Sequence, residues 1–262
     1  MAENLLDFSN KTVLVTGGSS GIGRAVSLGF ARQGAQVVIG DMNEAGSKET
    51  VEMIKKENGQ AHFVKTDVGN SQSVKALIEE TVRVYGGLDC AFNNAGILHA
   101  PQPIADFDEA AFDRVLHIDL KGTFLCLKYE LQYMVKKGKG AIVNTASVAG
   151  LLPEGGMAAY VAAKHGVIGL TKTAAIENAN HGIRVNALAP GWVRTPMTKA
   201  WDEDKQFNAK IKAAAPLHRG AEPEEMVGAV LYLCSDAASY TTGQTFPIDG
   251  AQTIRGLLPY EG

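Results

Sequence analysis

The segment TVLVTGGSSGIG, residues 12–23, carries a strand, a glycine-rich turn and the start of a helix. Thr12–Thr16 is short, apolar and rich in β-branched residues, which is typical of a buried strand. Helical spacing of apolar residues begins at Ile22 and stops before Gly34, a residue type common at helix ends. Glycines in such a turn let the backbone approach a diphosphate, which the free N–H groups of the helix N-terminus attract. The segment therefore predicts the first unit of a dinucleotide-binding α/β fold.

Strand-like and helix-like runs alternate along most of the remaining chain. Further strands are predicted at residues 35–40, 62–65, 88–91, 141–144, 183–187 and 245–248. Helices are predicted at residues 22–33, 43–58, 71–85, 109–136, 158–179 and 223–234. Because the strands are nearly continuous apolar runs, they are typical of a parallel sheet that is covered on both faces. We expect one α/β domain over residues 1–262, a doubly wound Rossmann fold with a seven-stranded, mainly parallel sheet.

One long irregular stretch, residues 191–217, follows the sixth predicted strand. It carries Trp192 and Trp201 among mixed charges. In a doubly wound sheet this stretch would lie above the carboxyl ends of the strands, where ligands bind. We interpret it as a segment that covers the substrate, and the alternative is a plain surface loop with a helix.

The glycine-rich turn is predicted to hold the diphosphate of a dinucleotide. Its glycines at positions 17, 21 and 23 depart from the usual spacing of such folds. The turn also lacks the pattern of nucleoside triphosphatases, since Arg24 and Ala25 stand where a Lys–Ser/Thr pair would be. We therefore expect neither ATP nor GTP hydrolysis. The predicted contacts are Gly17, Ser19, Ser20, Gly21, Ile22 and Gly23.

Asp41 closes the second predicted strand, downstream of the glycine-rich turn. An acidic side chain at this point can accept hydrogen bonds from the adenosine ribose hydroxyls, and it repels a 2′-phosphate. Sites that prefer NADP carry Arg or Lys nearby, whereas this chain has Ser20 and Met42 at the two relevant positions. Asp41 and Met42 therefore predict NAD (NADH) as the cofactor.

Tyr160 and Lys164 are four residues apart in a predicted helix, so they share one helix face. A tyrosine hydroxyl has an ordinary pKa near ~10, which is too high for a base at neutral pH. A nearby ammonium and the positive nicotinamide ring favour the phenolate. Tyr160 can then take the proton of an alcohol as hydride leaves its carbon, and return it in the reverse reaction. Ser147, at the end of the fifth predicted strand, is expected to hydrogen-bond the substrate oxygen.

Five motifs, in this order and spacing, resemble those of the short-chain dehydrogenase/reductase family. They are TGxxxGxG at residues 16–23, NNAG at 93–96, the serine of 144–147 with Tyr160-Val-Ala-Ala-Lys164, Pro190-Gly191, and residues 243–250. The resemblance spans nearly the whole chain. It implies a homotetramer, or at least a dimer, formed through the predicted helices at 109–136 and 158–179.

The resemblance also implies the remaining cofactor contacts. From the adenine to the nicotinamide end they are Asp67 and Val68, then Asn93, Ala95 and Gly96, and finally Pro190, Gly191, Val193 and Thr195, with Tyr160 and Lys164 beside the nicotinamide. One position departs from the family pattern. Asp119 stands where the family usually has an asparagine with a proton-relay role, ahead of Leu120 and Gly122. We keep Asp119 as a fourth catalytic candidate, expected to tune the pH dependence rather than to be indispensable.

The composition argues against several other classes of protein. A formal net charge of −3 without a basic patch is not typical of nucleic-acid or anionic-membrane binding. The sequence shows no signal peptide and no apolar run of about 18 residues, so we expect a soluble, cytoplasmic protein. Its three cysteines are far apart, as buried thiols of a reducing compartment are, and its six histidines show no ligand spacing. No metal site is expected.

These features predict a metal-independent, NAD-dependent dehydrogenase that interconverts a small secondary alcohol, cyclic ones included, and its ketone. Side chains of residues 98–99 and 151–157, with Trp192, Met197 and Trp201, are expected to shape a mostly apolar substrate pocket. Two rivals stay open. A reductase of acyl-carrier substrates would resemble this chain, but such enzymes usually prefer NADPH and offer basic residues to the carrier. A non-catalytic NAD-sensing regulator would share the fold, but such proteins tend to lose the tyrosine or the lysine.

Overall fold

The structure, a computed structural model, describes residues 6–254. Its strands are β1 (Thr12–Thr16), β2 (Gln36–Asp41), β3 (Gln60–Lys65), β4 (Cys90–Asn93), β5 (Gly140–Thr145), β6 (Ile183–Pro190) and β7 (Thr245–Ile248). They form one seven-stranded sheet in the order β3-β2-β1-β4-β5-β6-β7, and every neighbouring pair is parallel. The predicted doubly wound α/β fold is confirmed.

Helices connect the strands. They are α1 (Gly21–Arg32), α2 (Glu44–Lys56), α3 (Ser71–Tyr85), α4 (Glu109–Val115), α5 (Gly122–Lys137), α6 (Ala158–Asn178), α7 (Lys199–Glu203), α8 (Lys205–Ala214) and α9 (Val227–Cys234). Local sequence explains several of their ends. Asn43 caps α2 by accepting a hydrogen bond from Gly46 N at 3.1 Å, and Gly86 ends α3 in the left-handed conformation at φ 79°.

Both faces of the sheet are buried, because successive side chains of each strand point to opposite sides. In β1, Val13 and Val15 belong to a core that also contains Phe30 of α1 and Val230 of α9. Leu14 lies between those two valines in sequence and belongs to the opposite core, with side chains of α3, α5 and α6. All five residues of β1 are buried, which explains its uninterrupted apolar pattern.

Besides small shifts in element bounds, the structure differs from the sequence prediction at places that bear on the site. The helix predicted at residues 109–136 is broken by a π-helical segment, Leu116–Lys121, between α4 and α5. The fourth strand runs from Cys90 to Asn93, two residues later than predicted, since propensity alone does not fix where parallel pairing begins. The stretch 191–217 is less irregular than predicted, because it contains the short helices α7 and α8.

The chain crosses over at the centre of the sheet. β1 pairs with β2 on one side and with β4 on the other, and Thr16 is opposite both Gly40 and Asn93. The connections after β1 and β4 therefore diverge at the carboxyl edge of the sheet. This kind of topological switch point leaves a crevice in which α/β proteins bind their ligands.

Candidate active site

A cleft of about 600 Å³ opens at this switch point. Most residues predicted to contact the cofactor line it, and we call this set the motif wall: Gly17, Ser19, Ser20, Gly21, Ile22, Asp41, Met42, Asp67, Val68, Ala95, Gly96, Pro190, Gly191, Val193 and Thr195. Ser147, Tyr160, Lys164 and Asp119 line the same cleft. The structure thus brings together residues from six parallel strand ends and the turns that follow them.

The glycine-rich turn leaves helix N–H groups available for a ligand. Gly17 and Gly21 have φ values of 71° and 51°, in the left-handed region that glycine adopts without strain. Ser20 precedes α1 but its side chain makes no capping hydrogen bond, and the first turn of α1 has no acidic residue. The N-terminus of α1 therefore offers unpaired donors and a partial positive charge to the cleft, as a diphosphate requires.

Gly23 does not line the cleft, which corrects one predicted contact. A Cβ atom added at Gly23 would lie 2.1 Å from the carbonyl oxygen of Gly17. Glycine is needed here because helix α1 packs directly against the turn that precedes it. The role of Gly23 in the structure is this close packing, and the sequence motif alone does not separate packing glycines from glycines that face the ligand.

Asn93 is also a correction, because its side chain points away from the cleft. Asn93 is 4% exposed, and its Nδ2 donates to Glu130 Oε2 at 2.9 Å and to Asn144 Oδ1 at 3.0 Å. Its neighbour Asn94 lines the cleft instead, with its backbone N–H donating to Thr16 Oγ1 at 3.0 Å. The alternation of side chains along a strand, once β4 is known to reach Asn93, explains which asparagine faces which way.

Glu130 is a buried carboxyl group outside the cleft that the sequence did not draw attention to. It is 0% exposed in α5, and burial raises the pKa of its carboxyl to about 7 against the opposing hydrogen bond from Asn93. The network continues from Asn93 to Asn144, whose Nδ2 donates to Thr171 Oγ1 of α6 at 3.0 Å. These groups link β4 and β5 to α5 and α6 beneath the cleft.

Asp41 is held in one orientation at the end of β2. Its Oδ2 accepts a hydrogen bond from Ser19 N at 3.0 Å, and its Oδ1 accepts one from Asn43 N at 2.8 Å. Two backbone N–H groups thus fix the carboxylate beside the glycine-rich turn. Met42, the next residue, is 58% exposed at the rim. The geometry fits a polyol such as ribose, which needs an acceptor in a defined position.

Ser147, Tyr160 and Lys164 meet at the other end of the cleft. Ser147 follows β5, and its Oγ accepts a hydrogen bond from Ala149 N at 3.1 Å. Tyr160 and Lys164 lie on one face of α6, and Lys164 Nζ is 5.3 Å from the centre of the Tyr160 ring. Ser147 has a small lowering effect on the pKa of the Tyr160 hydroxyl. The predicted convergence of the three side chains is therefore found in the structure.

Lys164 is deeply buried for a lysine. Its side chain is 5% exposed, and its Nζ donates to the carbonyl oxygen of Thr145 at 3.1 Å. Asp119, which is 0% exposed, places its Oδ2 3.2 Å from the same nitrogen. Burial lowers the pKa of Lys164, but the charges of Asp119 and Tyr160 outweigh that effect and the pKa lies above its usual value. Lys164 is therefore an ammonium.

The Tyr160 hydroxyl is less acidic than the sequence argument suggests, because burial raises its pKa. Burial raises its pKa, Lys164 lowers it, and Asp119 raises it again, so that the pKa lies above its ordinary value. The expected lowering by Lys164 exists, but it is smaller than the cost of burying a phenolate. A positive group in the cleft, such as an oxidised nicotinamide ring, would favour the phenolate further.

A side cavity of about 470 Å³ adjoins the cleft. It is lined by Gly96, Ile97, Leu98, His99, Ala111, Arg114, Val115 and Met197. Gly96, Ile97, Arg114 and Met197 line the main cleft as well, so the two spaces share a wall. The sequence predicts residues 98–99 and Met197 as pocket residues, and they line this cavity. Ile97, Ala111 and Arg114 line it as well, but the sequence did not point to them.

The other residues expected to shape the pocket lie elsewhere. Residues 151–157 line neither the cleft nor the side cavity, and Leu151 and Leu152 are partly exposed. Trp192 lines a separate cavity of about 80 Å³ beneath α8. Trp201 packs edge-on against Phe207 at 5.6 Å between ring centres. In the stretch after β6, the residues nearest the strand border the cleft, and they include Pro196, Met197 and Thr198.

Residues 6–254 contain neither a metal-binding cluster nor a membrane-spanning helix. No group of three or more His, Cys, Asp and Glu side chains in that range could hold a metal ion. No helix of the described chain is long and apolar enough to cross a membrane.

The fold and the cleft define a dinucleotide-binding α/β protein with a Ser–Tyr–Lys cluster. A family model described as "Enoyl-(Acyl carrier protein) reductase" matches residues 17–253. The chain belongs to the short-chain dehydrogenase/reductase family. It is an oxidoreductase that acts on CH–OH groups with a nicotinamide cofactor.

Three relatives illustrate the similarity. A 2,5-dichloro-2,5-cyclohexadiene-1,4-diol dehydrogenase of Sphingobium indicum is 44% identical over 94% of this chain and 98% of its own. A cyclohexanol dehydrogenase of an Acinetobacter species is 40% identical over 95% of this chain and 97% of its own. The solved structure of a gluconate 5-dehydrogenase from Burkholderia cenocepacia, in complex with NADP and tartrate, has a TM-score of 0.92 and 30% identity, and the match covers 97% and 99% of the two chains.

Proposed function

We propose that this protein interconverts a cyclic secondary alcohol and its ketone with NAD, and that Tyr160 is the acid–base group. The observation that carries the proposal is the meeting of Ser147, Tyr160 and the charged Lys164 at one end of the cleft that the motif wall lines. We infer that residues 1–262 act as one NAD-binding domain, with residues 191–217 covering the substrate. A cytoplasmic location stays a prediction from the sequence.

The motif wall would hold the dinucleotide in an extended form. The free N–H groups at the start of α1 would bind the diphosphate, Asp41 the adenosine ribose, and Asp67 and Val68 the adenine. Pro190 and Val193 would border the nicotinamide, and Lys164 would reach the nicotinamide ribose. When bound, the nicotinamide ring accepts hydride from the carbinol carbon in oxidation and donates it in reduction.

The side chains of this protein would handle the oxygen and its proton. Ser147 Oγ would donate a hydrogen bond to the substrate oxygen and orient it toward Tyr160. The Tyr160 phenolate would take the hydroxyl proton as the carbon–oxygen double bond forms. Lys164 supports this step through its charge, because an ammonium beside the phenol favours the phenolate. In ketone reduction, Tyr160 would return the proton to the same oxygen.

The preference for NAD over NADP rests on Asp41. Its carboxylate is fixed by Ser19 N and Asn43 N, so it cannot easily swing away from a 2′-phosphate. Repulsion between two anions at that distance disfavours the phosphorylated cofactor. A related structure was solved with NADP bound, so the cofactor preference of this protein has to be measured.

The substrate class rests on the side cavity and on the names of the relatives. Apolar side chains, those of Ile97, Val115 and Met197 among them, line part of the side cavity beside the polar side chains of His99 and Arg114. Two relatives are named for alcohols on six-membered carbocycles. An apolar ring with one or two hydroxyl groups suits such a wall, because its carbons are desolvated there while its oxygen meets Ser147 and Tyr160.

Reduction of an acyl-carrier substrate is the second candidate function, and the description of the matching family model favours it. Such a substrate would need a basic docking surface and, in most cases, NADPH. The fixed carboxylate of Asp41 disfavours that cofactor. A non-catalytic NAD-sensing role is the weaker rival, because Ser147, Tyr160 and Lys164 are all present and line one cleft.

A homotetramer, or at least a dimer, is proposed as the assembly. A shallow apolar groove runs between the π-helical segment, α5 and α6, and it is lined by Leu116, Leu120, Phe124, Gly166, Gly169 and Leu170. Phe124 is 46% exposed there. Burial of this face against a second copy would remove apolar surface from water. Light scattering coupled to size-exclusion chromatography measures the mass.

The proposed function is tested with a panel of substrates and both cofactors. Cyclic secondary alcohols, linear secondary alcohols, sugar acids and a 3-oxoacyl thioester would each be supplied with the oxidised or reduced forms of NAD and NADP, and the absorbance of the reduced cofactor followed. We expect the highest kcat/KM for a cyclic alcohol with NAD. Turnover confined to the 3-oxoacyl thioester with NADPH would favour the rival reductase, and binding of NAD without turnover of any substrate would favour the regulator.

A further inference from the structure

Asp119 makes two separate contacts with its two carboxylate oxygens. The residue lies in the π-helical segment Leu116–Lys121 and is 0% exposed. Oδ1 accepts a hydrogen bond from Ile97 N at 2.8 Å, and Oδ2 lies 3.2 Å from Lys164 Nζ. A buried carboxylate is costly unless it is paired: burial raises the pKa of Asp119, and the Lys164 ammonium and the Ile97 N–H oppose that rise.

We infer that Asp119 is a positioning residue: its carboxylate is the counter-ion of Lys164 and ties that lysine to the backbone that separates the cleft from the side cavity. The inference deepens the proposed function, on which the assignment of Lys164 to catalysis rests. It differs from the proton relay implied for an asparagine at this position, because the contact to Lys164 is direct and ionic.

The surroundings of Lys164 show why a counter-ion matters. Its ammonium group has one neutral acceptor, the carbonyl of Thr145, and one charged neighbour, Asp119. A lysine that is 5% exposed and lacks an opposite charge loses its proton easily. An asparagine would keep the size of the side chain and could still accept from Ile97 N, but it carries no charge to stabilise the ammonium.

The π-helical segment is what brings the carboxylate to this point. The carbonyl oxygen of Asp119 accepts a hydrogen bond from Thr123 Oγ1 at 2.7 Å, which anchors the segment to the start of α5. π-helical turns of this kind are frequent at functional sites, where they redirect one side chain. A regular helix through residues 109–136, as the sequence predicted, would not have this local geometry.

The contact to Ile97 connects the same carboxylate to the neighbouring wall. Gly96 precedes Ile97, and a Cβ atom at Gly96 would lie 3.1 Å from Asp119 Oδ2, so the backbone packs directly against the carboxylate. Gly96 and Ile97 line both the cleft and the side cavity. Asp119 therefore sets the distance between Lys164 and the backbone of Gly96 and Ile97, which the substrate is proposed to touch.

Four titratable groups from three elements face one another here. They are Asp119 of the π-helical segment, Tyr160 and Lys164 of α6, and His99 of the loop after β4. Asp119 raises the pKa of Lys164 and also that of Tyr160, while Lys164 lowers that of Tyr160. Removal of the negative charge of Asp119 should therefore lower the pKa of both Lys164 and Tyr160. The acid limb of alcohol oxidation, which follows Tyr160, should then move to lower pH as well.

The test compares Asp119→Asn with Glu130→Gln. Both replace a fully buried carboxyl by its amide within the π-helical segment and α5, but Glu130 contacts Asn93 and not Lys164. The first readout is the titration of the Lys164 ammonium by NMR in protein labelled at lysine, with the signal assigned through Lys164→Arg. We expect the midpoint to fall by about one unit or more in Asp119→Asn, a tenfold change in the proton equilibrium, and to stay unchanged in Glu130→Gln.

The second readout is the pH profile of kcat for alcohol oxidation. Its acid limb should move to lower pH in Asp119→Asn alone, with kcat within about tenfold of the parent at the optimum. An unchanged Lys164 titration in Asp119→Asn, or equal shifts in both variants, would overturn the inference. So would an oxidation limb that moves to higher pH.

Two provisions keep the test decisive. If Asp119→Asn does not fold, Asp119→Ser removes the charge with a smaller polar side chain. In the parent protein itself, the Lys164 midpoint should lie above the ordinary value of ~10.4, and a lower midpoint contradicts a direct counter-ion. The NMR titration needs no substrate, so a parent protein without dehydrogenase activity would refute the proposed function and leave the role of Asp119 to be judged separately.

Discussion

The motif wall and the side cavity differ in what forms them. The motif wall consists largely of backbone turns at the carboxyl ends of strands, with Asp41 fixed by two N–H groups. The side cavity is formed by side chains from distant segments, Ile97 and His99 after β4, Arg114 in α4 and Met197 after β6. The first surface recognises groups that every dinucleotide shares, whereas the second can vary in shape without disturbing the sheet.

This difference explains where specificity for cofactor and for substrate resides. A change in the motif wall should alter cofactor binding for all substrates alike. A change in the side cavity should alter the choice of substrate and leave the affinity for the cofactor unchanged. The Ser–Tyr–Lys cluster lines the same cleft as the motif wall, and its loss should abolish turnover without abolishing either kind of binding.

The largest effect is expected for Tyr160→Phe in the Ser–Tyr–Lys cluster. The hydroxyl is the proposed acid–base group, and such groups contribute on the order of 10²–10⁴ in rate. We expect kcat to fall by at least that factor, while the affinity for NADH, measured by fluorescence titration, stays within about threefold. Turnover within threefold of the parent would mean that another group moves the proton.

The next effect concerns the motif wall. NAD should be preferred over NADP by about tenfold or more in kcat/KM, because the Asp41 carboxylate would face the 2′-phosphate. Asp41→Gly combined with Met42→Arg should narrow or reverse that ratio. Steady-state kinetics with both cofactors measures it, and Asp67→Asn, a change at the adenine rather than the ribose position, is the control. An unchanged ratio in the double variant would place the ribose contact elsewhere.

A smaller effect is expected in the side cavity. Met197 lines both the cavity and the cleft, so Met197→Ala should change the ratio of kcat/KM between a cyclic and a linear alcohol by about fivefold, equivalent to ~1 kcal/mol. The Kd for NADH should not change. Leu152→Ala is a matched control, since that apolar side chain is 38% exposed and lines neither space. Equal changes in both variants would argue against Met197 as a substrate contact.

Chelation should have no effect on activity. Proton transfer is assigned to Tyr160, and the described residues include no cluster of three metal-ligating side chains. Incubation with EDTA followed by assay should therefore leave kcat unchanged. A loss that Zn²⁺ restores would contradict a metal-free reaction, whereas restoration by Mg²⁺ alone would point to a structural ion.

The two surfaces also differ in how far the sequence predicts them. Residues of the motif wall such as Ser20 and Asp41 follow directly from short motifs at strand ends, because the ligand contacts are local to those turns. Gly23 and Asn93 belong to the same motifs, but Gly23 allows close helix packing and Asn93 joins a buried hydrogen-bond network, as only the helix contact and the strand register reveal. A sequence motif gives the type of each residue but not the direction in which it faces in the fold.

The side cavity depends on tertiary structure and was predicted only in part. Met197 agrees with the sequence prediction, but Trp192 lines a separate cavity and Trp201 of α7 packs against Phe207 of α8. The break at Leu116–Lys121 was missed as well, since residues on both sides of it have good helix propensity. That break is what brings Asp119 to Lys164, so the ion pair could not be derived from spacing.

The most direct test of the central claim follows a deuterium atom. The best cyclic alcohol from the substrate panel would be labelled with deuterium at the carbinol carbon and oxidised by the protein with NAD. Because hydride is proposed to pass directly from that carbon, the reduced cofactor should carry one deuterium on its nicotinamide ring, and the label should be absent from the water, as NMR and mass spectrometry of the products can measure. Reduced cofactor without deuterium, or a ketone formed without reduced cofactor, would contradict the account.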